Sequence, residues 1–242
     1  LLHVSNLYHI KPQIELAEAL VNHSFADKVF FCNSGAEANE AAIKLARKYF
    51  SDKGKNKFEI ITMINSFHGR TMATLSATGQ TKIQKGFEPL LNGFKYTPFN
   101  RIKEVKDAVS SQTCAVLLEP IQGEGGVNIP DNDYLKSIRE ICDQNDLLLI
   151  FDEVQTGMGR TGHLFAHQHY GIEPDIMTLA KGLAGGMAIG AMLATEKVMG
   201  SFKPGSHAAT FGGNPLAAAA GLAAFKEFSD AKFLSHVEEM GR

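Results

Sequence analysis

Asp152 and Lys181 each close a short apolar run, Leu147-Leu148-Leu149-Ile150-Phe151-Asp152-Glu153 and Asp175-Ile176-Met177-Thr178-Leu179-Ala180-Lys181-Gly182. A carboxylate at the end of a wholly apolar strand enters partly desolvated space and needs a cationic or protonated partner. Glu153, one residue on, points to the opposite face by strand alternation. Lys181 is followed by Gly182, Gly185 and Gly186, which leave room for a bulky group on its amine. In an apolar pocket a lysine becomes a nucleophile towards carbonyls. A simple Asp–Lys ion pair, or a solvated lysine at a loop start, fits the same residues. A third stretch, Asn33-Ser34-Gly35-Ala36-Glu37-Ala38-Asn39-Glu40, joins a strand to a helix. Ser34 and Glu37 fit the S-x-x-E capping box. Gly35 and Ala36 keep the first turn free of bulk, so an anion can approach the open backbone N–H groups, where the helix dipole favours a phosphate. An ordinary capped helix fits too, and the turn carries neither a P-loop nor a Rossmann glycine pattern.

Together the three stretches narrow the chemistry. A phosphate cradle, a nucleophilic lysine and a buried carboxylate are what pyridoxal phosphate requires. The lysine forms a Schiff base with its aldehyde, and the acid holds the pyridinium N–H so that the ring stays an electron sink. A metal reading of His163, His167 and His169 is weaker. His163 and His167 have i, i+4 spacing, but there is no HExxH motif and no neighbouring cysteine, so a solvated helix face is expected and no metal.

The elements that must position these residues alternate. Strands are expected at Lys28–Cys32, Phe58–Ile64, Cys114–Glu119, Leu147–Asp152, Asp175–Leu179 and Ala191–Ala194, and helices at Ser34–Phe50, Arg101–Val109, Asp133–Asn145 and Asn214–Phe228. Strands apolar on both faces and separated by helices indicate an α/β fold with a mainly parallel sheet covered on both sides. Ligands of such sheets lie beyond the carboxyl ends of the strands. The polar residues there are Asn33 and Ser34, Asn65 to Arg70, Glu119, Asp152 to Gln155, and Lys181.

Composition excludes several other classes. With 44% hydrophobic and 21% charged residues, the chain matches ordinary globular domains, not disordered ones. A net charge of −2 offers no basic excess for nucleic acid. The longest apolar run, Leu216 to Phe225, is far too short to span a bilayer. Cys32, Cys114 and Cys142 form no CxxC pair and lie in apolar stretches. They read as buried thiols in a reducing, cytoplasmic setting. The chain has 242 residues, which allows one large domain or one and a half. It opens on Leu1, and from Ala231 to Arg242 it looks like a helix cut in mid-course, so a fragment is expected.

In this order the motifs resemble those of the class III, fold-type I pyridoxal-phosphate aminotransferases, and within them the acetylornithine aminotransferases. The resemblance rests on Leu2-His3-Val4-Ser5-Asn6-Leu7-Tyr8, Asn33 to Glu40, Phe67-His68-Gly69-Arg70-Thr71 and Glu119-Pro120-Ile121-Gln122-Gly123-Glu124-Gly125-Gly126. Further on it rests on Phe151-Asp152-Glu153-Val154-Gln155-Thr156-Gly157, Leu179-Ala180-Lys181-Gly182 and Thr210-Phe211-Gly212-Gly213-Asn214-Pro215. It covers nearly the whole chain and is specific in combination.

The resemblance implies a seven-stranded-type sheet, the large domain of this fold, over residues 21–228. Residues 1–20 would be a remnant of the segment leading into it. Residues 229–242 would begin the connection to a small C-terminal domain that is largely missing. Lys181 would carry the cofactor and Asp152 would pair with its ring nitrogen. Ser34, Gly35 and Ala36 would hold the phosphate, and Thr210 would reach a phosphate in the neighbouring subunit, implying a homodimer with shared active sites. Phe67 and Val154 would cover the two ring faces, with Glu153 and Gln155 beside them and Gln155 near the ring hydroxyl. Arg70 would bind a substrate carboxylate. Glu124 would be the switch glutamate, whose arginine partner lies downstream of Arg242.

Position 209, next to the phosphate-binding Thr210, is Ala209 where many acetylornithine enzymes have Ser or Gly, so a hydroxyl contact to substrate is lost there. The implied reaction moves the terminal amino group of N-acetylornithine, or a close ω-amine, to 2-oxoglutarate in arginine biosynthesis. Ornithine, succinylornithine and 4-aminobutyrate remain open as donors. So do an aminomutase of the same fold and a non-catalytic remnant.

Overall fold

The strand β5 (Leu148–Asp152) is buried at every position, because one neighbouring layer of helices takes its even-numbered side chains and another its odd-numbered ones. Leu148 and Ile150 join the cluster under helix α2 (Gly35–Asp52), whereas Leu149 and Phe151 join the one under α6 (Tyr134–Gln144). A strand that is apolar at both parities is thus the signature of a sheet with two covered faces.

The computed structural model describes residues 1–242. The remaining strands are β1 (Lys28–Cys32), β2 (Glu59–Met63), β3 (Phe94–Thr97), β4 (Thr113–Leu118), β6 (Ile176–Leu179) and β7 (Gly190–Ala194). The remaining helices are α1 (Lys11–Asn22), α3 (Met72–Ala77), α4 (Thr81–Gln84), α5 (Ile102–Ala108), α7 (Ala166–Tyr170), α8 (Glu196–Met199), α9 (Pro215–Phe228) and α10 (Ala231–Met240), with a 3₁₀ turn over Lys181–Ala184. One seven-stranded sheet runs in the order β1-β7-β6-β5-β4-β2-β3. β5 is its middle strand. The pairs from β6 through β5, β4 and β2 to β3 are parallel, and β7 alone runs against both its neighbours.

The expected strands and long helices are present, with ends displaced by no more than a residue or two. Three features differ from expectation. β3 is an edge strand, half-buried over most of its length, and lacks the continuous apolar run that marks the inner strands. α1 occupies the second half of what reads as a lead-in segment. Its Leu16 and Leu20 are fully buried in the cluster that also holds Met177, Leu193 and Phe225, so this stretch shares the core of the sheet. α10 buries none of its residues and touches the body through Phe233, whose ring lies 5.7 Å from that of Phe228, and through Leu234, which packs against the same cluster as α1.

The α2 layer sits close to the sheet because Ala38, Ala41, Ala42, Leu45, Ala46 and Tyr49 recur at helical spacing and are all buried. Alanine at the contact lets the helix backbone approach the strands, and this brings the first turn of α2 to the carboxyl edge of the sheet. The three cysteines are buried thiols, each lifted to about 12 by that burial.

Candidate active site

Glu119 follows the end of β4, Asp152 ends β5, and Lys181 stands two residues beyond β6. Parallel pairing brings all three to one edge, where they line a cavity of about 440 Å³ together with Ser34, Phe67 and Arg70. This volume lies within the range of small-molecule sites. Gly35, Ala36, Glu124, Val154 and Gln155 also line it.

Asp152 is the most heavily bonded group in the cavity. Its parity on β5 sends it to the α2 side, where Asn39 Nδ2 donates to Oδ2 at 2.7 Å and His68 Nδ1 lies 2.8 Å from the same oxygen. The Val154 N–H donates to Oδ1 at 3.0 Å. Thr178, its register partner on β6, donates to Asn39 Oδ1 at 2.8 Å, which fixes which end of the Asn39 amide carries the donors. The second Asn39 N–H donates to the His68 carbonyl at 2.8 Å.

Glu153 has the opposite parity and goes elsewhere. It is fully buried below the sheet edge, where it accepts from the Ala166 and His167 N–H groups at 2.6 and 2.8 Å. It therefore satisfies the open start of α7, and it does not line the cavity. Its placement beside the ring faces is corrected by the same alternation that sends Asp152 inward. Burial raises the Glu153 carboxyl to about 7.

Ser34 caps α2, accepting from the Glu37 N–H at 3.2 Å. The Glu37 carboxylate departs from the expected box. It takes the Asn33 N–H at 2.8 Å and the Asn33 side chain at 2.9 Å, one residue earlier than a capping box prescribes. Gly35 is glycine because a Cβ there would stand 2.8 Å from Val154 Cγ1 and 3.0 Å from Cγ2. Gln155 is pressed against Gly123, where a Cβ would meet its amide nitrogen at 2.1 Å. Only a bare backbone leaves Gln155 its position.

Lys181 has φ +36°, a left-handed conformation that costs a non-glycine residue about 1–3 kcal/mol and recurs at functional sites. Its Nζ donates to Gln155 Oε1. The side chain is exposed within the cavity, whose walls are part polar and part apolar. Arg70 lies over the Phe67 ring, 5.6 Å from its centre, and a guanidinium on an aromatic face is held in place without losing its hydrogen-bonding edge. Glu124 lines the cavity mouth and an adjoining cleft.

Ala209 and Thr210 do not line the cavity. Thr210 is exposed and Ala209 half-buried, with its carbonyl taking the Asn6 side chain at 3.1 Å.

Glu119 is a site residue that spacing marks only by its place at a strand end. Its carboxylate accepts from the Phe67 N–H at 3.1 Å and the Gly123 N–H at 3.3 Å. Burial lifts it to about 7, and the Asp152 carboxylate pushes the same way. His68 is marked only as one of the polar residues of Asn65 to Arg70 at a strand end, and Asn39, inside a helix, only as part of the Asn33 to Glu40 motif; neither is singled out as a partner of Asp152. The histidines further on do not form a solvated helix face. α7 begins after His163, and His167 is buried with Nδ1 3.0 Å from the Ile172 carbonyl.

A family model described as aminotransferase class-III matches residues 1–242. The chain belongs to the class-III aminotransferases. Among curated class-III relatives it is 59% identical to the acetylornithine aminotransferase of Caldanaerobacter subterraneus subsp. tengcongensis, over all of the chain and 62% of that protein. Among solved structures it resembles the N-acetylornithine aminotransferase of Stenotrophomonas maltophilia, with TM-score 0.83 and 44% identity over 99% of the chain and 58% of that protein. It also resembles the ornithine aminotransferase of Toxoplasma gondii crystallised with oxidised glutathione, a structure with partial occupancy of PLP at its active site. There the TM-score is 0.94 at 35% identity, covering 99% of the chain and 58% of that protein. The chain thus spans about six-tenths of the length of these relatives.

Proposed function

We propose that this chain is the cofactor-binding part of a pyridoxal-phosphate aminotransferase that moves the terminal amino group of N-acetylornithine to 2-oxoglutarate. The observation that carries this reading is the convergence of Lys181, Asp152, Arg70 and the open start of α2 on one cavity at the carboxyl edge of the sheet. The donor set suits the group. An amine is presented by a strained backbone, a carboxylate is already fixed by two N–H donors and the His68 ring, and Gly35 leaves the backbone of the first helical turn bare. The acetylornithine aminotransferases at 54–59% identity support the choice of donor.

Ser34, Gly35 and Ala36 would hold the phosphate on backbone N–H groups at the helix start, where the dipole favours an anion. Asp152 would accept from the ring nitrogen, and Phe67 and Val154 would cover the ring. Gln155 would face the ring hydroxyl. When bound, pyridoxal phosphate supplies an electron sink for the bond-breaking at the amine-bearing carbon. Lys181 would hold the cofactor through its amine and would act on the substrate as base and then acid, moving a proton at the amine-bearing carbon. Arg70 binds a substrate carboxylate with its planar fork. Glu124 stands at the mouth, where it can meet a cation from outside this stretch.

By the family resemblance, Thr210 would reach the phosphate of a second copy in a homodimer with shared active sites; its place outside the cavity of its own chain is in keeping with that role. We place the enzyme in arginine biosynthesis and in the cytoplasm. No helix is long and apolar enough to cross a membrane.

The test uses the whole protein loaded with pyridoxal phosphate. Borohydride should trap a yellow cofactor at Lys181, and N-acetylornithine with 2-oxoglutarate should release glutamate. Absence of the trapped adduct would refute the cofactor reading. Preference for ornithine, succinylornithine or 4-aminobutyrate would overturn the donor, and isomerisation without glutamate release would indicate an aminomutase.

A further inference from the structure

His68 is buried to the last atom of its side chain and lies against Asp152. Its backbone is pinned on both sides, the N–H donating to Thr78 Oγ1 at 2.9 Å and the carbonyl accepting from Asn39 at 2.8 Å. With Nδ1 2.8 Å from Asp152 Oδ2, the ring nitrogen Nε2 is buried with no partner. Three proton arrangements are possible: a proton on Nδ1, on Nε2, or on both. Any proton on Nε2 leaves a buried N–H with no acceptor, and Nε2–H alone would also turn a bare Nδ1 lone pair towards Asp152. With the proton on Nδ1, the orphan is an acceptor only, and unpaired buried acceptors are tolerated better than unpaired buried donors. Asn39, oriented by Thr178, already donates to the same carboxylate oxygen.

We propose that His68, as the Nδ1–H tautomer, is a positioning residue that with Asn39 holds the Asp152 carboxylate charged and aimed into the cavity, so that the proton it shares with the cofactor's ring stays on the ring nitrogen. This rests on the reading of the cavity as a pyridoxal-phosphate site. Each donor on Asp152 stabilises negative charge on its oxygens. Removing one favours transfer of the shared proton to the carboxylate, which leaves the ring uncharged and a poorer electron sink. The titratable groups facing His68 are Asp152 from β5 and Glu119 from the end of β4. α2 and β6 contribute Asn39 and Thr178, which do not ionise.

The experiment has two arms on the whole protein. In the cofactor-free form, nitrogen-15 NMR of the imidazoles should show His68 protonated at Nδ1 and not at Nε2. The opposite tautomer overturns the proposal whether or not any cofactor binds. In the loaded form, pyridoxal phosphate labelled with nitrogen-15 in its ring reports where the shared proton sits. His68→Phe should lower the ratio of protonated to unprotonated ring nitrogen about tenfold, the effect of one lost hydrogen bond to a charged group. His68→Asn, whose amide N–H stands near the place of Nδ1, should restore the ratio. Unchanged ring protonation in His68→Phe refutes the proposal. Equal loss in His68→Asn and His68→Phe refutes it too, because that is packing alone. If His68→Phe does not fold, His68→Asn decides with the tautomer measurement. Wild-type protein that binds no pyridoxal phosphate refutes the cofactor reading instead, and the first arm still decides the tautomer.

Discussion

Gly35→Ala should lower stability even though alanine is the better helix former. The new Cβ would stand 2.8 and 3.0 Å from the two Val154 methyls and 3.5 Å from Ala180 Cβ, whereas relaxed carbon contacts lie at about 3.5–4.0 Å. Val154 would therefore have to recede by roughly 0.5–1 Å to restore ordinary contact. It cannot do so freely, since its N–H is tied to Asp152 at 3.0 Å and its β-branched side chain has few rotamers. Overpacking of this kind costs about 1–3 kcal/mol, against a helix-propensity gain of at most about 1 kcal/mol. With overpacking at about 2 kcal/mol, the middle of that range, the net loss is at least about 1 kcal/mol, a fall of roughly 2–4 °C or more in the thermal midpoint for a domain of this size. The assay is thermal unfolding without added cofactor for Gly35→Ala, Val154→Ala and the double variant. Shortening Val154 should remove the clash, giving a favourable coupling of about 1–2 kcal/mol. Gly35→Ala at wild-type stability, or a double variant no better than the sum of the singles, would refute the steric account.

Four further outcomes are expected. Lys181→Ala should abolish borohydride trapping and turnover while leaving the cofactor-free thermal midpoint within about 2 °C, because the exposed side chain packs against little and surface changes are worth about 0.5 kcal/mol. Glu119 and Glu153 both lie near 7 in the folded protein because of burial. For an acid raised above its unfolded value the stabilising protonation is complete below about 4.5 and lost as pH climbs through about 7, so stability should fall across that window. Denaturant titrations of Glu119→Gln should show a shallower fall, by on the order of 3 kcal/mol at most; an unchanged slope would mean that Glu119 does not titrate there. Leu16→Ala should cost about 2–5 kcal/mol, with faster amide exchange along α1 and α9; exchange unchanged in α9 would argue against their shared core. Glu153→Ala should open the start of α7, with loss of amide protection at Ala166 and His167, while cofactor affinity changes far less than in Asp152→Ala.

The inner strands and the residues at their ends were legible because burial on both faces demands unbroken apolar runs, and a parallel sheet then fixes where the polar residues meet. The same logic separates Asp152 from Glu153, whose positions two faces apart follow from their order alone. α1 was less visible. Its buried positions, Leu16 and Leu20, make one contact stripe within an otherwise mixed sequence, and the partner stripe on α9 is some two hundred residues away. The pairing of Asn39 and His68 with Asp152 was hidden for a related reason. A buried amide or imidazole becomes informative only when its partner is known, and Asp152, the partner of both, comes more than eighty residues later. Glu37 shows the limit of a local motif: the right residues at the right spacing still chose a different N–H.

The one reversed strand, β7, has a mechanical meaning for the lysine. Every parallel connection in this sheet must carry the chain back to the opposite edge before the next strand begins. From β6 to β7 no such return is needed, so the chain crosses the carboxyl edge and re-enters the adjacent strand within residues 180–189. Six of those ten residues line the cavity. Lys181 is thus mounted on a strap pinned at both ends to neighbouring strands, with a fixed length of slack. The amine can swing on its own four carbons, but its anchor cannot drift, and lengthening the strap by even a few residues would release the reach of the lysine without altering a single wall of the cavity.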